Sequence, residues 1–204
     1  MILSLFAAVA AATPVATTPA GWVIGSPKAP KSLVEYASLN CPHCAAFSRE
    51  AMPSVMAAVK AGRLRYEYRP FLIFPHDIAA TLIARCVPVS RRFAFVERYY
   101  AGTPAFTERL RAVDQATLDA AKAKSEGDYN RAVVAATGMK PLAARFGLTG
   151  AAVDRCVADA KGIAWLDSTY HTAQAAGISG TPTFFLNGQR AEFGTLDAVR
   201  AALK

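Results

Sequence analysis

Two cysteines three positions apart are the residues of this chain best suited to chemistry. They stand in the tetrapeptide Cys41-Pro42-His43-Cys44, directly after a mostly apolar run and at the start of a segment with helical periodicity. Residues i and i+3 of a helix share one face, with Cβ atoms about 5 to 6 Å apart, which is within reach of a disulfide after a slight adjustment. The spacing therefore predicts a pair that can close and open reversibly.

The position of Cys41 predicts a thiol with a lowered pKa. Its sulfur would lie beside the first amides of a helix, where N–H groups and the helix dipole favour negative charge. Pro42 suits the first helical position because its missing N–H would have had no partner there. His43 can add a positive charge or a hydrogen-bond donor beside the sulfur. A thiolate that leaves easily makes the disulfide a strong oxidant, so the expected direction is oxidation of substrates.

The surrounding residues predict the elements that must position this pair. A short strand is expected at 22–24, and a second, buried on both faces, at 32–38. Apolar residues at every fourth position predict a helix from 42 to 61 with a kink at Pro53. A third strand is expected at 64–68.

The segment from 76 to 176 predicts only helices, because none of it has the pattern of a strand. Thr103-Pro104 is expected to begin one of these helices, with threonine as the cap and proline at the first helical position. Thr149 is expected to cap the helix that carries Cys156.

The last part of the chain predicts a return to strands. Apolar runs at 183–186 and 190–193 flank Asn187-Gly188, and this arrangement is a strong signal for a hairpin. A final helix is expected after Thr195, which would be its cap.

Residues 1–20 are expected to form a secretory signal peptide and a flexible lead-in. The short apolar run from Ile2 to Ala10 is followed by small residues, and a cut after Ala10 or Ala12 would obey the small-x-small rule. The run is well short of the roughly 20 residues needed to cross a bilayer, so an uncleaved anchor is the less favoured alternative. The sequence therefore predicts an exported protein whose folded part begins near Trp22.

The composition predicts a folded protein that does not bind nucleic acid. Of the 204 residues, 53% are hydrophobic and 19% are charged, which is ample material for a core. The net charge is +8, but the basic residues are scattered and form no long Lys/Arg block with interleaved aromatic residues.

The chain has four cysteines, so Cys86 and Cys156 remain for each other if Cys41 and Cys44 pair locally. Both fall in helical segments, and a bridge would close a loop of roughly 70 residues. A structural disulfide is expected, and two buried free thiols are the alternative. A structural zinc site needs four ligands, commonly from two cysteine pairs, so no metal site is expected.

Two segments resemble the signatures of DsbA-type thioredoxin-fold proteins. Residues 33–44 resemble the active-site segment of that family, and residues 180–188 resemble its second signature, in the expected order. The resemblance covers about residues 22–204 and implies an α/β architecture, the thioredoxin fold with an inserted all-helical domain. It places the thioredoxin-like domain at 22–75 and 177–204 and the insertion at 76–176.

The same resemblance implies roles for single residues. Pro182 matches a cis-proline that lies beside the cysteine pair, and with Thr181 it would hold an extended substrate peptide through backbone contacts. Glu35 matches a buried acidic residue that passes protons to and from Cys44. A glutamate at a strand end, exposed to water, is the open alternative for Glu35. Some members of the family also carry a second, noncatalytic disulfide, as expected here for Cys86 and Cys156.

In function, the resemblance implies a periplasmic oxidase that introduces disulfides into reduced or unfolded exported proteins. No bound cofactor is required, a membrane quinone-linked partner would reoxidise the protein, and a monomer is favoured. Two alternatives stay open. One is a reductase or isomerase that uses the same pair, with Cys41, Pro42, His43 and Cys44 still at the catalytic site. The other is a metal-handling or chaperone-like binding module on the same fold.

Overall fold

The computed structural model describes residues 13–203 of the chain. The expected signal peptide falls mostly on residues 1–12, which lie outside the described residues. Across residues 13–203, no helix combines the length and the apolar character needed to cross a membrane.

A mixed sheet forms the centre of the fold. The strands are β1 (Val15–Thr17), β2 (Trp22–Ile24), β3 (Lys31–Ala37), β4 (Leu64–Pro70), β5 (Thr183–Leu186) and β6 (Gln189–Ala191). In the part of the chain that the structure describes, they form one sheet in the order β1-β2-β4-β3-β5-β6. β3 and β4 run parallel, and the other neighbouring strands are antiparallel.

Helices follow β3, fill the segment between β4 and β5, and end the described chain. They are α1 (Pro42–Glu50), α2 (Met52–Lys60), α3 (Asp77–Cys86), α4 (Arg92–Arg111), α5 (Gln115–Lys124), α6 (Glu126–Thr137), α7 (Lys140–Arg145), α8 (Gly150–Cys156), α9 (Ala160–Ala175) and α10 (Leu196–Leu203). The segment from 76 to 176, all of it described, contains helices and no strand, as the sequence predicts. The fold is therefore the expected thioredoxin fold with an inserted helical segment.

The central strand β3 is buried by a different layer on each face. Side chains alternate along a strand, so Leu33 and Ala37 join the larger core with α1, α2 and the inserted helices. Tyr36 faces the opposite side and packs with Phe71 and with Ala173 of α9. Glu35 lies on the same face as Leu33 and Ala37, inside the larger core.

Turn and cap chemistry at the C-terminal end matches the prediction. Asn187 and Gly188 both have positive φ angles, 51° and 81°, which a two-residue hairpin turn of type I′ requires. The side chain of Thr195 accepts a hydrogen bond from the backbone N–H of Ala198 at 3.1 Å and so caps α10.

The flexible lead-in expected before Trp22 is wrong in part, because Val15–Thr17 form β1. This strand pairs antiparallel with β2, and the Thr17 hydroxyl accepts a hydrogen bond from the buried Arg92 at 2.7 Å. Arg92, which holds Thr17 in place, is 75 positions away in sequence. The three residues of β1 have no hydrophobic pattern of their own, so the sequence alone did not predict this strand.

Two predictions about prolines need correction. Pro53 does more than kink a helix: the helix ends at Glu50 and a new one begins at Met52, which places Pro53 in the first turn of α2. Thr103 does not begin a helix, because Pro104 lies inside α4. The Thr103 hydroxyl donates to the carbonyl oxygen of Tyr99, one turn earlier, at 3.1 Å. An interior proline costs about 3 kcal/mol, and α4 also buries the aromatic residues Tyr99 and Tyr100 before this proline and Phe106 after it, which favours the helix.

Candidate active site

Cys41 and Cys44 lie where β3 gives way to α1, as the sequence predicts. Cys41 is the N-cap residue, with φ −79° and ψ 123°, and Pro42 occupies the first turn. The carbonyl oxygen of Cys41 accepts the backbone N–H of Ala45 at 3.0 Å, so the helix starts directly at the cysteine. Both thiols are free; Cys41 is 3% exposed, whereas Cys44 is 0% exposed. Both side chains are therefore buried, and Cys41 is the more accessible of the two.

The pKa of Cys41 is lowered from its ordinary value to about 5. The largest cause is a hydrogen bond from the Cys44 thiol, and burial opposes it. The backbone N–H groups of Cys44 and His43 lower the pKa further. His43 contributes to this pKa through its backbone N–H, and the role expected for its side chain stays a prediction. The residue itself is exposed.

The pKa of Cys44 is shifted in the opposite direction to that of Cys41. Its pKa is raised well above the ordinary value, chiefly because the thiol is fully buried. The hydrogen bond to Cys41 and the negative charge of Glu35 raise it further. One sulfur of the pair is therefore a ready thiolate, and the other holds its proton.

Thr181 and Pro182 lie directly against this pair. The sulfur of Cys41 lies 3.4 Å from the carbonyl oxygen of Thr181, to which the thiol donates a hydrogen bond when it is protonated. The Thr181–Pro182 peptide bond is cis, as the family resemblance implies. An open groove of about 270 Å³ continues from Pro182 between His43, Phe47 and Phe193. The backbone of Thr181 thus lies against the reactive sulfur, and a largely apolar groove begins at the next residue.

Glu35 is buried, with 2% of its surface exposed, so the alternative of a water-exposed strand end is wrong. Burial raises its pKa from 4.5 to about 8. The Tyr66 hydroxyl donates a hydrogen bond to the Oε2 atom of Glu35, which lowers the pKa, and negative charge on Cys41 raises it. A carboxyl group with this pKa can either give or take a proton near neutral pH.

A second buried carboxylate, Asp77, braces the segment that leads into Cys41. It accepts hydrogen bonds from the Ser38 hydroxyl at 2.8 Å and from the Asn40 side-chain amide at 2.7 Å. It also accepts the backbone N–H groups of Ile73 and Phe74 at 2.7 and 2.9 Å. The first residue of α3 therefore ties the loop after β4 to the loop before α1.

Cys86 and Cys156 form a disulfide between α3 and α8. Their Cα atoms are 6.2 Å apart and 70 positions separate them in sequence. Both ends of the bridge lie in the inserted helices, and neither residue belongs to the cluster around Cys41.

These features define a class. A central sheet that presents a Cys-x-x-Cys pair at a helix start, beside a cis-proline, is the arrangement of DsbA-type thioredoxin-fold proteins. The sequence model described as thioredoxin matches residues 17–204, and the chain belongs to that family.

Solved structures agree with this assignment. The crystal structure of a protein-disulfide isomerase from Novosphingobium aromaticivorans is 27% identical, with a TM-score of 0.77 over 85% of this chain and 89% of that one. Wolbachia pipientis alpha-DsbA1 is 20% identical, with a TM-score of 0.67 over 89% of this chain and 91% of that one, and shows the same fold.

Curated relatives are matched over only part of their length. A Rickettsia bellii protein, named by inference a protein-disulfide oxidoreductase, is 24% identical over 183 residues, which are 89% of this chain and 62% of that protein. A Rickettsia typhi protein with the same kind of name is 32% identical over 65 residues, 31% of this chain and 24% of that protein. The chain thus spans less than two thirds of either relative.

Two residues of the site escaped sequence reasoning. Tyr66 had a usable signal, because Tyr66 and Tyr68 alternate with charged residues along 64–69, and this alternation predicts that the two tyrosines face the core. Asp77 had a weaker one, as an acidic residue in the first turn of a helix. Its contacts with Ser38 and Asn40 join segments nearly 40 positions apart, which no local pattern announces.

Proposed function

We propose that this protein is an exported thiol-disulfide oxidoreductase that introduces disulfides into reduced substrate proteins through Cys41 and Cys44. The observation that carries the proposal is the contrast between the two sulfurs. The pKa of Cys41 is about 5, whereas burial holds the pKa of Cys44 far higher. A stabilised Cys41 thiolate favours the reduced protein and so makes its disulfide oxidising.

The reaction begins with the Cys41–Cys44 disulfide. A substrate thiolate attacks the sulfur of Cys41, the bond between the two cysteines breaks, and Cys44 leaves and takes up a proton. A second substrate thiolate then attacks the substrate sulfur of this mixed disulfide and releases Cys41 as the thiolate. The substrate loses two electrons and gains a disulfide, and the protein gains the two electrons as one thiolate and one thiol.

Glu35 is proposed to supply the proton that Cys44 takes up, and to accept it again during reoxidation. Its pKa of about 8 supports both directions near neutral pH. Its negative charge also helps to raise the pKa of Cys44, so the two groups lie close enough to influence each other.

Thr181 and Pro182 are proposed to bind the substrate backbone. The Thr181 carbonyl oxygen faces Cys41 at 3.4 Å, so an extended peptide whose cysteine reaches Cys41 must pass along this segment. The groove between Pro182 and Phe193 can take an apolar side chain of the same peptide.

Export to the periplasm and a quinone-linked membrane partner belong to this proposal through the family resemblance. Each turnover leaves the protein reduced, so an external oxidant of some kind is needed. The site needs no bound cofactor for the exchange itself, since both sulfurs come from the chain.

The deciding experiment is the reduction potential of the Cys41–Cys44 couple, measured in glutathione buffers with Cys86–Cys156 intact. An oxidase should give a value near the −120 mV of DsbA, whereas a value near the −270 mV of thioredoxin would point to a reductant. Reduced, unfolded ribonuclease serves as the substrate. Recovery of its activity with the protein, and none with Cys41→Ser, is the expected result.

Isomerisation is the second candidate, because a structure of similar fold is that of a protein-disulfide isomerase. Scrambled ribonuclease separates the two functions. A reduced isomerase restores the activity of scrambled ribonuclease. An oxidase restores the activity of reduced ribonuclease but not that of the scrambled form. Bound metal in stoichiometric amount, with no exchange activity, would instead favour the binding module.

A further inference from the structure

The hydrogen bond between Tyr66 and Glu35 joins two buried side chains. Glu35 is 2% exposed and Tyr66 is 1% exposed. The Tyr66 ring packs against Phe93 of α4, with ring centroids 5.6 Å apart. The inserted helices therefore cover the pair and keep water from replacing this hydrogen bond.

Within residues 13–203, the titratable side chains that interact with Glu35 come from three elements, and none of these side chains is a cation. The titratable side chains that interact with it are the thiols of Cys41 and Cys44 at the start of α1, the phenols of Tyr66 and Tyr68 on β4, and the phenol of Tyr100 on α4. From β5, the residue in register with Glu35 is Phe184, which does not titrate. A carboxylate formed here must be stabilised by neutral donors.

Among the neighbouring phenols, Tyr66 and Tyr68 make different contacts although both are buried on the same strand. The Tyr66 hydroxyl donates to the Oε2 atom of Glu35. The Tyr68 hydroxyl donates to the backbone carbonyl oxygen of Ala37 at 3.2 Å. The chain thus offers two matched tyrosines, of which one is joined to the acid.

We propose that Tyr66 is a positioning residue for proton exchange: its hydroxyl holds one carboxyl oxygen of Glu35, leaves the second oxygen for the proton shared with Cys44, and stabilises the carboxylate left when that proton departs. This inference rests on the proposed function of Glu35 in thiol-disulfide exchange. It assigns to a neutral phenol the stabilising role that a buried cation would otherwise fill.

The choice of a phenol has a chemical consequence. A cation beside Glu35 would favour the carboxylate and draw its pKa down. The neutral Tyr66 lowers the pKa only in part, so burial still holds it at about 8. The pKa of Tyr66 itself is raised well above 10, and the phenol therefore keeps its proton and remains a donor throughout the working range.

The test follows the Glu35 carboxyl carbon by NMR in the oxidised protein labelled with 13C-glutamate, with Glu35→Gln identifying the resonance. A hydrogen bond to a charged group is worth about 1.5 to 3 kcal/mol, so Tyr66→Phe should move the inflection upward by about 1 to 2 pH units. Tyr68→Phe, which removes a buried hydroxyl from the same strand, should leave it in place. Equal shifts in the two variants would overturn the inference.

A second variant keeps the ring and changes only the strength of the donor. Site-specific 3-fluorotyrosine at position 66 is a stronger donor and should lower the Glu35 inflection, opposite to the effect of phenylalanine. A shift in the same direction as phenylalanine, or none, contradicts the assigned role even if Tyr66→Phe folds poorly.

Kinetics link the pair to catalysis. The pH profile for reduction of the Cys41–Cys44 disulfide by a small dithiol should shift in Tyr66→Phe and lose its inflection in Glu35→Gln. Combining the two substitutions should change nothing beyond Glu35→Gln alone, because both act through one proton.

The outcomes separate this inference from the proposed function. If the wild type oxidises no protein substrate but Tyr66→Phe still shifts the Glu35 resonance, the proposed function fails and the pairing of Tyr66 with Glu35 stands. If the wild type is active but Tyr66→Phe leaves the resonance unmoved, this inference alone fails.

Discussion

The sulfur of Cys41 lies 3.4 Å from the carbonyl oxygen of Thr181, a residue 140 positions further along the chain. The antiparallel pairing of β5 with β3 creates this contact, because it brings the loop before β5 to the end of β3 where Cys41 begins a helix. The reactive sulfur therefore depends on three segments: its own helix, the loop at Thr181, and the loop that Asp77 braces.

The hydrogen bond from Cys44 is the first feature to test. Cys44→Ala removes the largest cause that lowers the pKa of Cys41, so that pKa should rise by about 1 to 2 units. Cys44→Ser keeps a hydroxyl donor and should raise it less. Ultraviolet absorbance of the thiolate, followed against pH, measures all three proteins. If both variants kept the wild-type midpoint for formation of the Cys41 thiolate, the stabilisation would come from the helix amides instead.

Glu35 should make the protein less stable as the pH rises. Its folded pKa is raised to about 8 from 4.5, chiefly by burial. The stabilisation of the protonated form is complete below about pH 4.5 and is lost as the pH rises through about 8. Over that window the unfolded chain releases a proton that the folded protein retains, and stability falls by about 1.4 kcal/mol per pH unit.

Glu35→Gln should flatten this slope, as measured by urea unfolding of the oxidised protein at a series of pH values. In the oxidised protein neither Cys41 nor Cys44 titrates, whereas the burial of Glu35 remains. The exposed Glu50 provides the control, since Glu50→Gln should keep the wild-type slope. A slope that persists in Glu35→Gln would mean that another group retains the proton.

Asp77 should matter for stability far more than an exposed cap. Asp77→Ala leaves several buried donors without a partner, each costing about 1 to 3 kcal/mol, so a loss of at least about 3 kcal/mol is expected. Asp114 also accepts a backbone amide at the start of a helix, but from an exposed position. Asp114→Ala should cost only about 1 kcal/mol. Denaturant midpoints compare the two variants, and equal losses would show that the Asp77 contacts stabilise little.

The Cys86–Cys156 disulfide should stabilise the protein without taking part in exchange. Replacing both cysteines with alanine frees a loop of 70 residues and should cost about 4 kcal/mol in the chain-entropy estimate. Unfolding in denaturant, without reductant, measures the loss. Oxidation of reduced ribonuclease by the double variant should continue at the wild-type rate at a temperature where it stays folded. A large drop in that rate would assign the bridge a role in the reaction.

Local patterns in the sequence determined much of the site. The Cys41–Cys44 spacing, Pro42 after the capping cysteine, the hairpin turn at Asn187 and the cap at Thr195 all depend on neighbours within a few positions. Each follows from turn and helix chemistry that acts over that range, and each was predicted. The second signature at Thr181 and Pro182 needed the family resemblance, because spacing alone does not join it to Cys41.

The tertiary structure decided what the local patterns left open. Whether Glu35 is buried depends on the layers that cover β3, and its partner Tyr66 comes from the neighbouring strand. Asp77 accepts a hydrogen bond from Ser38, 39 positions away, and β1 forms a strand by pairing with β2. Desolvation and long-range hydrogen bonds arise only after distant segments pack together. They set the protonation of this site because the free energy of a charged group depends on the solvent exposure and the hydrogen-bond partners that packing gives it.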